Sequence, residues 1–319
     1  MISRTSSVAA AYTPTALFVL LWSSGALFAR WGLDHAGPFV FLSLRFALAL
    51  AVLSLLARRR GRWLPRPGTY RHTASTGALL VGGYAVFYLL ALDHGVTPGL
   101  LATLLGVQPL VTLVLTERPL QRSRLGGLSL ALAGLVLVVL DSLLAARASV
   151  TGLGCALLAL ICTTAGTLLQ KQVQQEPLEV LPLQYAVALG MSLLLLPLAP
   201  LRVEWSAGLA VSVGWLALVI SVAATLLLYR LLHAGNLVDV TSLFYLVPAG
   251  TAALDWLVLG NAMAPGALIG TGAILCESVR NSVCGAYHVD KEHECHANRR
   301  PLGRPNLTPR RSRRSCSSS

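Results

Sequence analysis

The sequence predicts an all-α, polytopic membrane protein with about ten transmembrane helices in two inverted five-helix repeats. Of its 319 residues, 55% are hydrophobic and only 12% are charged, and the mean hydropathy is +0.68. A water-soluble domain carries about 25% charged residues, because its surface faces water. The long apolar runs here show no amphipathic period, so we expect lipid to solvate most of the surface.

Nine apolar runs are each long enough to cross the hydrocarbon core of a bilayer, which takes about 20 helical residues. They cover residues 15–33, 38–57, 73–92, 97–116, 125–144, 152–170, 179–200, 208–229 and 237–259. A shorter tenth run covers residues 262–276. The connections are mostly short and contain Gly, Pro, Asp or His, which is typical of tight turns at the membrane edge. Because further spans follow the first run at once, we expect an uncleaved first helix rather than a signal peptide.

The two halves of the chain resemble each other at a constant offset of 139 residues. The informative matches are Pro38 with Pro177, His94 with His233, and Pro109 with Pro248. Each half holds five predicted helices, and an odd number means that the second copy enters the membrane from the opposite side. Inverted repeats are a recurrent basis for alternating access, with the substrate site near the midplane between the halves. Chance matches within an apolar sequence are the alternative.

The runs and the charges divide the chain into four parts. We expect a cytoplasmic N-terminus at residues 1–13, five-helix repeats at 14–146 and 150–276, and a polar, basic tail at 277–319. The tail begins where Glu277 and Arg280 interrupt the tenth apolar run, and its composition predicts disorder. It is either a natural extension or the product of a reading-frame change.

The net charge of +12 is concentrated in short segments beside the apolar runs. One loop between the second and third runs contains Arg58, Arg59, Arg60, Arg62, Arg66 and Arg71. Because Lys and Arg stay on the cytoplasmic side of membrane proteins, we expect this loop and the N-terminus to face the cytoplasm. The expected location is the cell (inner, cytoplasmic) membrane, crossed several times. Basic groups at helix ends contact anionic lipid headgroups, and we expect no nucleic-acid partner.

Polar and aromatic side chains lie inside several predicted spans. Placing a charge in the membrane there costs roughly 3 kcal/mol, so each charged side chain needs a structural or functional explanation. The candidates for lining a substrate cavity are Trp22, Arg45, Tyr84, Tyr88, Gln108, Gln184 and Tyr245. Arg45 is either a fixed positive charge facing a water-filled cavity or a structural clamp that pairs with backbone carbonyls or snorkels outward. The aromatic side chains either line a cavity for amphipathic metabolites or belong to ordinary packing. Gln108 either binds substrate or makes hydrogen bonds between helices.

Two prolines and two aspartates complete the set of candidates. Pro109 and Pro248 are predicted helix breaks, because proline leaves a carbonyl without its partner inside a helix. Asp239 and Asp255 flank or enter the ninth run, and a desolvated carboxylate is a natural proton carrier in a coupled transporter. Asp239 is otherwise a cap at the membrane interface.

Familiar catalytic and metal-binding patterns are missing from the sequence. It has no Walker-type Gly-rich loop, no His-Glu-x-x-His and no Gly-x-Ser-x-Gly, so we expect no catalytic residues and no ATP-driven cycle. One C-terminal group has spacings that match no paired zinc-ligand pattern: Cys276, Cys284, His288, His293, Cys295 and His296. We therefore expect no cofactor and no metal. The expected partners are a small-molecule substrate and the lipid bilayer, with a second copy of the chain as a further candidate.

Short motifs along the chain resemble those of the drug/metabolite transporter superfamily, specifically its EamA-like proteins. They are Leu21-Trp22-Ser23-Ser24-Gly25, Leu44-Arg45-Phe46, Gln108-Pro109, Thr116-Glu117-Arg118, Tyr245-Leu246-Val247-Pro248 and Leu259-Gly260. The resemblance covers about residues 14–276 and implies ten helices in two inverted repeats around a central cavity. One departure is Asn261, which stands where the second repeat often carries Glu.

The resemblance implies a secondary transporter that moves a small metabolite, an amino acid or a drug-like compound, commonly by export. Two other functions stay open: a non-transporting membrane scaffold or sensor, and a membrane-embedded enzyme acting on a lipid-like substrate. The enzyme would need a convergent set of catalytic groups, and the sequence shows none.

Overall fold

The computed structural model describes residues 2–117, 122–138, 149–199 and 201–234, together with positions 240, 243–247, 250 and 272. The chain divides into two compact units, Met1–Ser278 and Val279–Ser319, and all the described residues belong to the first. Almost every described segment is helical, so the all-α prediction is confirmed for this part of the chain. Most of the predicted spans 237–259 and 262–276, and the whole tail at 277–319, lie outside the described residues.

Nine helical segments with described bounds follow one another along the chain. They are α1 (Ile2–His35), α2 (Pro38–Arg59), α3 (Tyr70–Asp93), α4 (Pro98–Leu105), α5 (Gln108–Thr116), α6 (Arg122–Val138), α7 (Val150–Gln172), α8 (Pro177–Leu195) and α9 (Ala207–His233). Short 3₁₀ turns cover Leu196–Leu198 and Leu243–Tyr245. Six segments are long and apolar enough to cross a membrane, namely α2, α3, α7, α9, the Ala16–His35 part of α1, and α8 with its 3₁₀ extension.

Local sequence signals set where several helices begin. Proline occupies the first turn of α2 and of α8, where its missing N–H leaves no hydrogen bond unmade. Ser149 caps α7 by accepting a hydrogen bond from the backbone N–H of Gly152 at 3.0 Å. Ser206 caps α9 in the same way through the N–H of Leu209, at 3.2 Å. The helices therefore begin at Val150 and Ala207, within two residues of the predicted starts at 152 and 208.

Two elements differ from the sequence prediction in detail. The predicted span 97–116 is divided into α4 and α5, because the helix is interrupted at Gly106 and Val107, directly before the Gln108-Pro109 pair. Pro109 therefore lies in the first turn of α5, where a proline is tolerated. The first helix begins at Ile2 rather than near residue 15, although its apolar part begins at Ala16. A helix can continue past its apolar run because backbone hydrogen bonding does not require apolar side chains.

Both α3 and α9 contain a stretch of π-helix, in which the N–H of each residue bonds five residues back. The stretches are Gly77–Gly83 in α3 and Trp215–Ala224 in α9. The 139-residue offset places the first stretch inside the second. Such stretches are rare and occur frequently at functional sites. The structure therefore shows the same local irregularity at equivalent positions of the two halves.

Helices α2 and α8 occupy equivalent positions in the two halves and pack against each other. Near the start of α2, the Ser43 hydroxyl donates to the Ser192 hydroxyl near the end of α8, at 3.1 Å. Just past the end of α2, Arg62 forms an ion pair with Glu179 at the start of α8, at 3.7 Å. Residue numbers therefore rise along α2 as they fall along the contacting face of α8, so the two helices run antiparallel.

Glycines allow α3 to approach both α7 and α8 at backbone distance. A Cβ atom built on Gly166 of α7 would lie 2.6 Å from the Cβ of Leu80, and one built on Gly77 of α3 would lie 2.6 Å from the Cα of Gln184. Small residues at helix crossings are typical of membrane bundles, where close van der Waals packing drives association. The first-half helix α3 is thereby held between two second-half helices.

Candidate functional site

Arg45 carries a positive charge inside the bundle. It is the eighth residue of α2, about 10 Å along the helix axis from its start. Its Nε donates a hydrogen bond to the Ser221 hydroxyl in the π-helical stretch of α9, at 2.9 Å. Its guanidinium carbon also lies 5.7 Å from the ring centroid of its neighbour Phe46. Arg45 thus links a first-half helix to a second-half helix.

Three tyrosines surround this arginine. The rings of Tyr84 and Tyr88 lie 5.6 Å apart on one face of α3, one turn from each other. These two phenols and that of Tyr185 in α8 are close enough to Arg45 to interact with it electrostatically. Arg45, Tyr84 and Tyr88 are surrounded by protein atoms and yet remain partly accessible. We call this partly accessible group of side chains the Arg45 crevice.

The charge of Arg45 has no neutralising carboxylate in the part of the chain that the structure describes. Other arginines there have one: Arg30 pairs with Asp34 at 3.8 Å, and Arg124 pairs with Glu117. A cation at the centre of a membrane helix costs roughly 3 kcal/mol on insertion scales. One hydrogen bond to a neutral hydroxyl offsets only about 1 kcal/mol of this. Among the described residues, the charge of Arg45 is therefore only partly compensated.

The position of Ser221 is set by neighbouring polar groups. The Tyr185 hydroxyl donates to the Ser221 carbonyl at 2.8 Å, and the Thr225 hydroxyl donates to the Ile220 carbonyl at 3.0 Å. Both bonds satisfy carbonyls in the π-helical stretch, where the ordinary ladder is disturbed. Tyr185 also packs edge-on against Phe46, with ring centroids 5.9 Å apart. These bonds hold the backbone at Ser221 in place.

Gln184 stands at the repeat position of Arg45 and is enclosed in a neutral network. Its Nε2 donates to Gln170 Oε1 at 2.9 Å, and the Tyr229 hydroxyl donates to its Oε1 at 2.5 Å. All three side chains are buried. Buried polar groups are stable when they are paired in this way. The two repeat positions thus differ, with an accessible charge on one side and a closed amide network on the other.

The remaining predicted cavity residues lie elsewhere in the bundle. Gln108 is buried and donates to the Thr167 hydroxyl at 3.3 Å, so it joins α5 to α7. Trp22 packs in an aromatic cluster, 5.1 Å from the ring of Phe18 and 5.5 Å from that of Phe244.

Tyr245 is buried in a small apolar cluster, and within the described residues its hydroxyl has no hydrogen-bond partner. Three further predicted site residues, Pro248, Asp239 and Asp255, lie outside the described residues. Of the seven predicted cavity residues, the structure therefore brings together Arg45, Tyr84 and Tyr88.

Sequence reasoning did not single out Ser221, Gln170 or Tyr229. A serine in an apolar run is unremarkable by itself, and the glutamine and tyrosine lie near helix ends. The offset places Ser221 opposite Gly82, and only the structure shows that Gly82 lies in the π-helical stretch of α3.

Two pairs of loops meet at opposite ends of the bundle, and the first joins the α2–α3 loop to the α7–α8 loop. The Gln175 side chain receives a hydrogen bond from the backbone N–H of Arg66 at 2.8 Å and donates one to the Thr69 hydroxyl at 3.0 Å. Gln175 is only 8% exposed, so this contact excludes most solvent. Beside it, Arg60, Glu176 and neighbouring residues line a cleft of about 130 Å³.

The second pair joins the α1–α2 loop to the α8–α9 loop. Ala36 and Val203 form an isolated antiparallel bridge. The backbone N–H of Gly37 donates to the Arg202 carbonyl at 2.9 Å, and that of Glu204 donates to the His35 carbonyl at 2.7 Å. The offset makes Ala36 equivalent to Gln175, so the two loop contacts are related by the repeat. One contact precedes α2 and the other follows it.

The described residues contain no group of three His, Cys, Asp or Glu side chains placed to hold a metal ion. The C-terminal Cys and His residues singled out in the sequence lie outside this part of the chain. The side chains of the Arg45 crevice offer one cation, hydroxyl groups and aromatic rings for recognition.

Comparison with known proteins agrees with the division into two halves. The sequence model of the EamA-like transporter family matches residues 11–140 and 150–277. No protein of curated function matches the chain. Among the solved structures that match, one described as "Crystal structure of protein" has a TM-score of 0.73 and 20% sequence identity, and the match covers 86% of this chain and 97% of that chain. At this identity the likeness shows the fold alone.

Proposed function

The chain belongs to the EamA-like transporter family, as its motifs predicted, and from that membership we propose that it is a secondary transporter. It moves a small metabolite, an amino acid or a drug-like compound out of the cell across the cytoplasmic membrane by alternating access. The observation that carries this proposal is the Arg45 crevice, a partly accessible polar site among helices that are long and apolar enough to span a bilayer.

We propose that the complete bundle has ten helices in two inverted repeats. Three features support the inversion: the antiparallel packing of α2 on α8, the equivalent π-helical stretches, and the related loop contacts at opposite ends. A two-fold axis in the membrane plane generates all three, because it superposes each helix on a partner that runs the other way. The predicted spans 237–259 and 262–276 then complete the second repeat.

The two loop contacts support the proposal of alternating access. The Gln175 contact closes one end of the bundle, and the Ala36–Val203 contact closes the other. Each consists of a few hydrogen bonds worth about 1 kcal/mol apiece, so opening either one is within the range of a transport cycle. Opening the two ends in turn exposes the Arg45 crevice first to one side and then to the other.

We propose that the α2–α3 loop and the N-terminus face the cytoplasm, because that loop is rich in arginine. The Gln175 contact is then the cytoplasmic closure, and the Ala36–Val203 contact is the external one. Arg45, Tyr84 and Tyr88 line the route between them. We also propose that four further side chains line the cavity once the helices rearrange during transport, namely Gln184, Gln108, Trp22 and Tyr245. Partners on this proposal are the solute and the bilayer.

Solute exchange by purified protein in sealed liposomes tests the transport proposal. Vesicles are loaded with one member of a panel of amino acids, organic acids and organic cations, and uptake of the labelled solute is followed. Protein-dependent, saturable exchange of at least one solute is expected. Chemical conversion of a lipid-like compound without exchange would indicate an enzyme instead.

A disulfide across the external closure tests alternating access directly. The bonds of Gly37 and Glu204 flank the Ala36–Val203 pair, which makes it a non-hydrogen-bonded pair with Cα atoms about 4.5 Å apart. This spacing permits a disulfide. In a chain without its native cysteines, oxidising Ala36→Cys/Val203→Cys should lower exchange at least tenfold, and reduction should restore it. The Ala36→Cys single variant, oxidised alike, is the control. Unchanged exchange by fully cross-linked protein would show that exchange does not require these loops to separate.

A further inference from the structure

One edge of the Arg45 guanidinium has no partner in the described part of the chain. Within the described residues its one hydrogen bond joins Nε to Ser221 at 2.9 Å, and it takes part in no ion pair there. No backbone carbonyl of the described residues accepts from it, so Arg45 does not act as a clamp on the backbone there. Because Arg45 is packed among α3, α8 and α9 side chains, it also does not snorkel away from the bundle.

We infer that Arg45 binds the carboxylate of an organic anion whose apolar body lies against Tyr84 and Tyr88. The inference rests on the proposed transport function and names the class of its cargo. It places the charged end of the solute at α2 and its apolar part at α3.

The geometry of arginine explains why a carboxylate fits. A guanidinium offers two forks of paired N–H groups, one along the Nε side and one formed by the two terminal nitrogens. Ser221 occupies the Nε position, which leaves the terminal fork. The two oxygens of a carboxylate match this fork, and both bonds are charge-assisted. A neutral amide and a cationic amine lack a pair of negatively charged oxygens, so neither can accept both charge-assisted bonds from the fork.

The fork has a defined direction because its support is rigid. Tyr185 donates to the backbone carbonyl of Ser221 at 2.8 Å, and the Ser221 hydroxyl holds the plane of the guanidinium through Nε. Ser221 is a positioning residue in this arrangement, since it acts on the solute through Arg45. A guanidinium held in this way loses less freedom on binding than a mobile one.

The wall beside the cation suits an apolar or aromatic group. Tyr84 and Tyr88 present tilted rings whose centroids are 5.6 Å apart, with an interplanar angle of 55°. Aromatic rings bury large apolar areas and favour tilted or offset partners. A solute with a carboxylate at one end and a ring or a short alkyl chain at the other satisfies both parts of the crevice.

The two halves of the chain also differ in charge at this site. At the repeat position of Arg45, Gln184 is neutral and already paired with Gln170 and Tyr229. In the described residues the crevice therefore offers one binding charge. A monocarboxylate matches one charge better than a dicarboxylate, whose second anionic group would lack a partner.

The test uses three probes that share a phenyl ring and a three-carbon chain: 3-phenylpropionate, 3-phenylpropionamide and 3-phenylpropylamine. Butyrate is added as a carboxylate without the ring. Binding to the full-length protein in detergent is measured by calorimetry, and exchange is measured in liposomes. We expect 3-phenylpropionate to bind at least tenfold more tightly than its amide and its amine, and butyrate to bind more weakly than 3-phenylpropionate.

Three variants separate the role of the charge from that of the fold. Arg45→Gln should weaken 3-phenylpropionate binding by on the order of 100-fold and abolish the preference over the amide. Arg45→Lys keeps the charge but lacks the fork, so a loss of roughly tenfold is expected. Ser221→Ala should reduce the preference for the carboxylate while leaving amide binding unchanged. Arg58→Gln, at the end of α2, is the matched control and should behave as the unaltered protein.

The wild-type comparison decides the inference even if a variant fails to fold. Equal binding of the carboxylate and the amide, or no saturable binding of either carboxylate, overturns it. An Arg45→Gln protein that elutes as a single species and keeps the carboxylate preference overturns it as well. Exchange of other solutes with no carboxylate binding would refute the cargo class but leave transport standing. Carboxylate binding without exchange of any solute would refute transport but not the site.

Discussion

Gly166 in α7 packs against α3 so closely that one added methyl group tests the packing of the two halves. A Cβ atom built there lies 2.6 Å from Leu80 Cβ and 2.7 Å from both Cα and N of Leu80. Carbon atoms are most stable at about 3.5–4.0 Å from each other, so the helices must separate by about 1 Å. The Leu80 backbone cannot turn aside as a flexible side chain would. We expect Gly166→Ala to lower the free energy of unfolding by about 1–3 kcal/mol.

The assay is thermal unfolding of the purified protein in detergent, followed by intrinsic tryptophan fluorescence. The predicted loss corresponds to a decrease of roughly 2–10 °C in the apparent melting temperature. Gly154→Ala is the matched control, because Gly154 lies on the same helix and a Cβ there meets nothing within 4 Å. That variant should melt at the wild-type temperature or slightly above it, since alanine restricts the unfolded chain. Equal melting temperatures for the two variants would refute the proposed register of α7 on α3.

Three other predictions follow from the contacts. In a chain whose one cysteine is Leu178→Cys, in the cleft beside the cytoplasmic closure, Gln175→Ala removes two hydrogen bonds from that closure; it should increase labelling of this cysteine by a membrane-impermeant thiol reagent at least threefold in inside-out vesicles, whereas Gln174→Ala, its exposed neighbour, should not. Tyr229→Phe leaves a buried amide oxygen without its donor and should destabilise the protein by about 1–3 kcal/mol in the same melting assay; an unchanged melting temperature would contradict the network. In chains without native cysteines, Leu64→Cys should be labelled only from the cytoplasm and Leu201→Cys only from outside; the reverse result would invert the proposed orientation.

Local elements were predictable because they depend on short stretches of sequence. The expected spans 38–57 and 152–170 correspond to helices Pro38–Arg59 and Val150–Gln172, since about 20 apolar residues fold as a helix in lipid wherever they occur. Arg45 could be singled out for a similar reason, because a charge inside such a run is costly. The motif-based resemblance to the EamA-like family is confirmed in both halves.

Partners were not predictable, because they come from segments far apart in the chain. Arg45 and Ser221 are 176 residues apart in sequence, and their contact depends on how α2 and α9 are rotated about their axes. The two π-helical stretches were not predicted from the sequence either. The interruption at Gly106 and Val107, in contrast, lies directly before Pro109, which was a predicted helix break.

The amino-acid sequence alone determined that this chain crosses a bilayer many times, because the transfer of a segment into hydrocarbon depends on that segment's own composition. Only the tertiary structure decided that Arg45 meets Ser221 and the tyrosines of α3, while Gln184 is closed off by Gln170 and Tyr229. The physical reason is that a side-chain hydrogen bond between helices needs a specific register and rotation of both helices. These are set by the packing of the whole bundle and by no single helix.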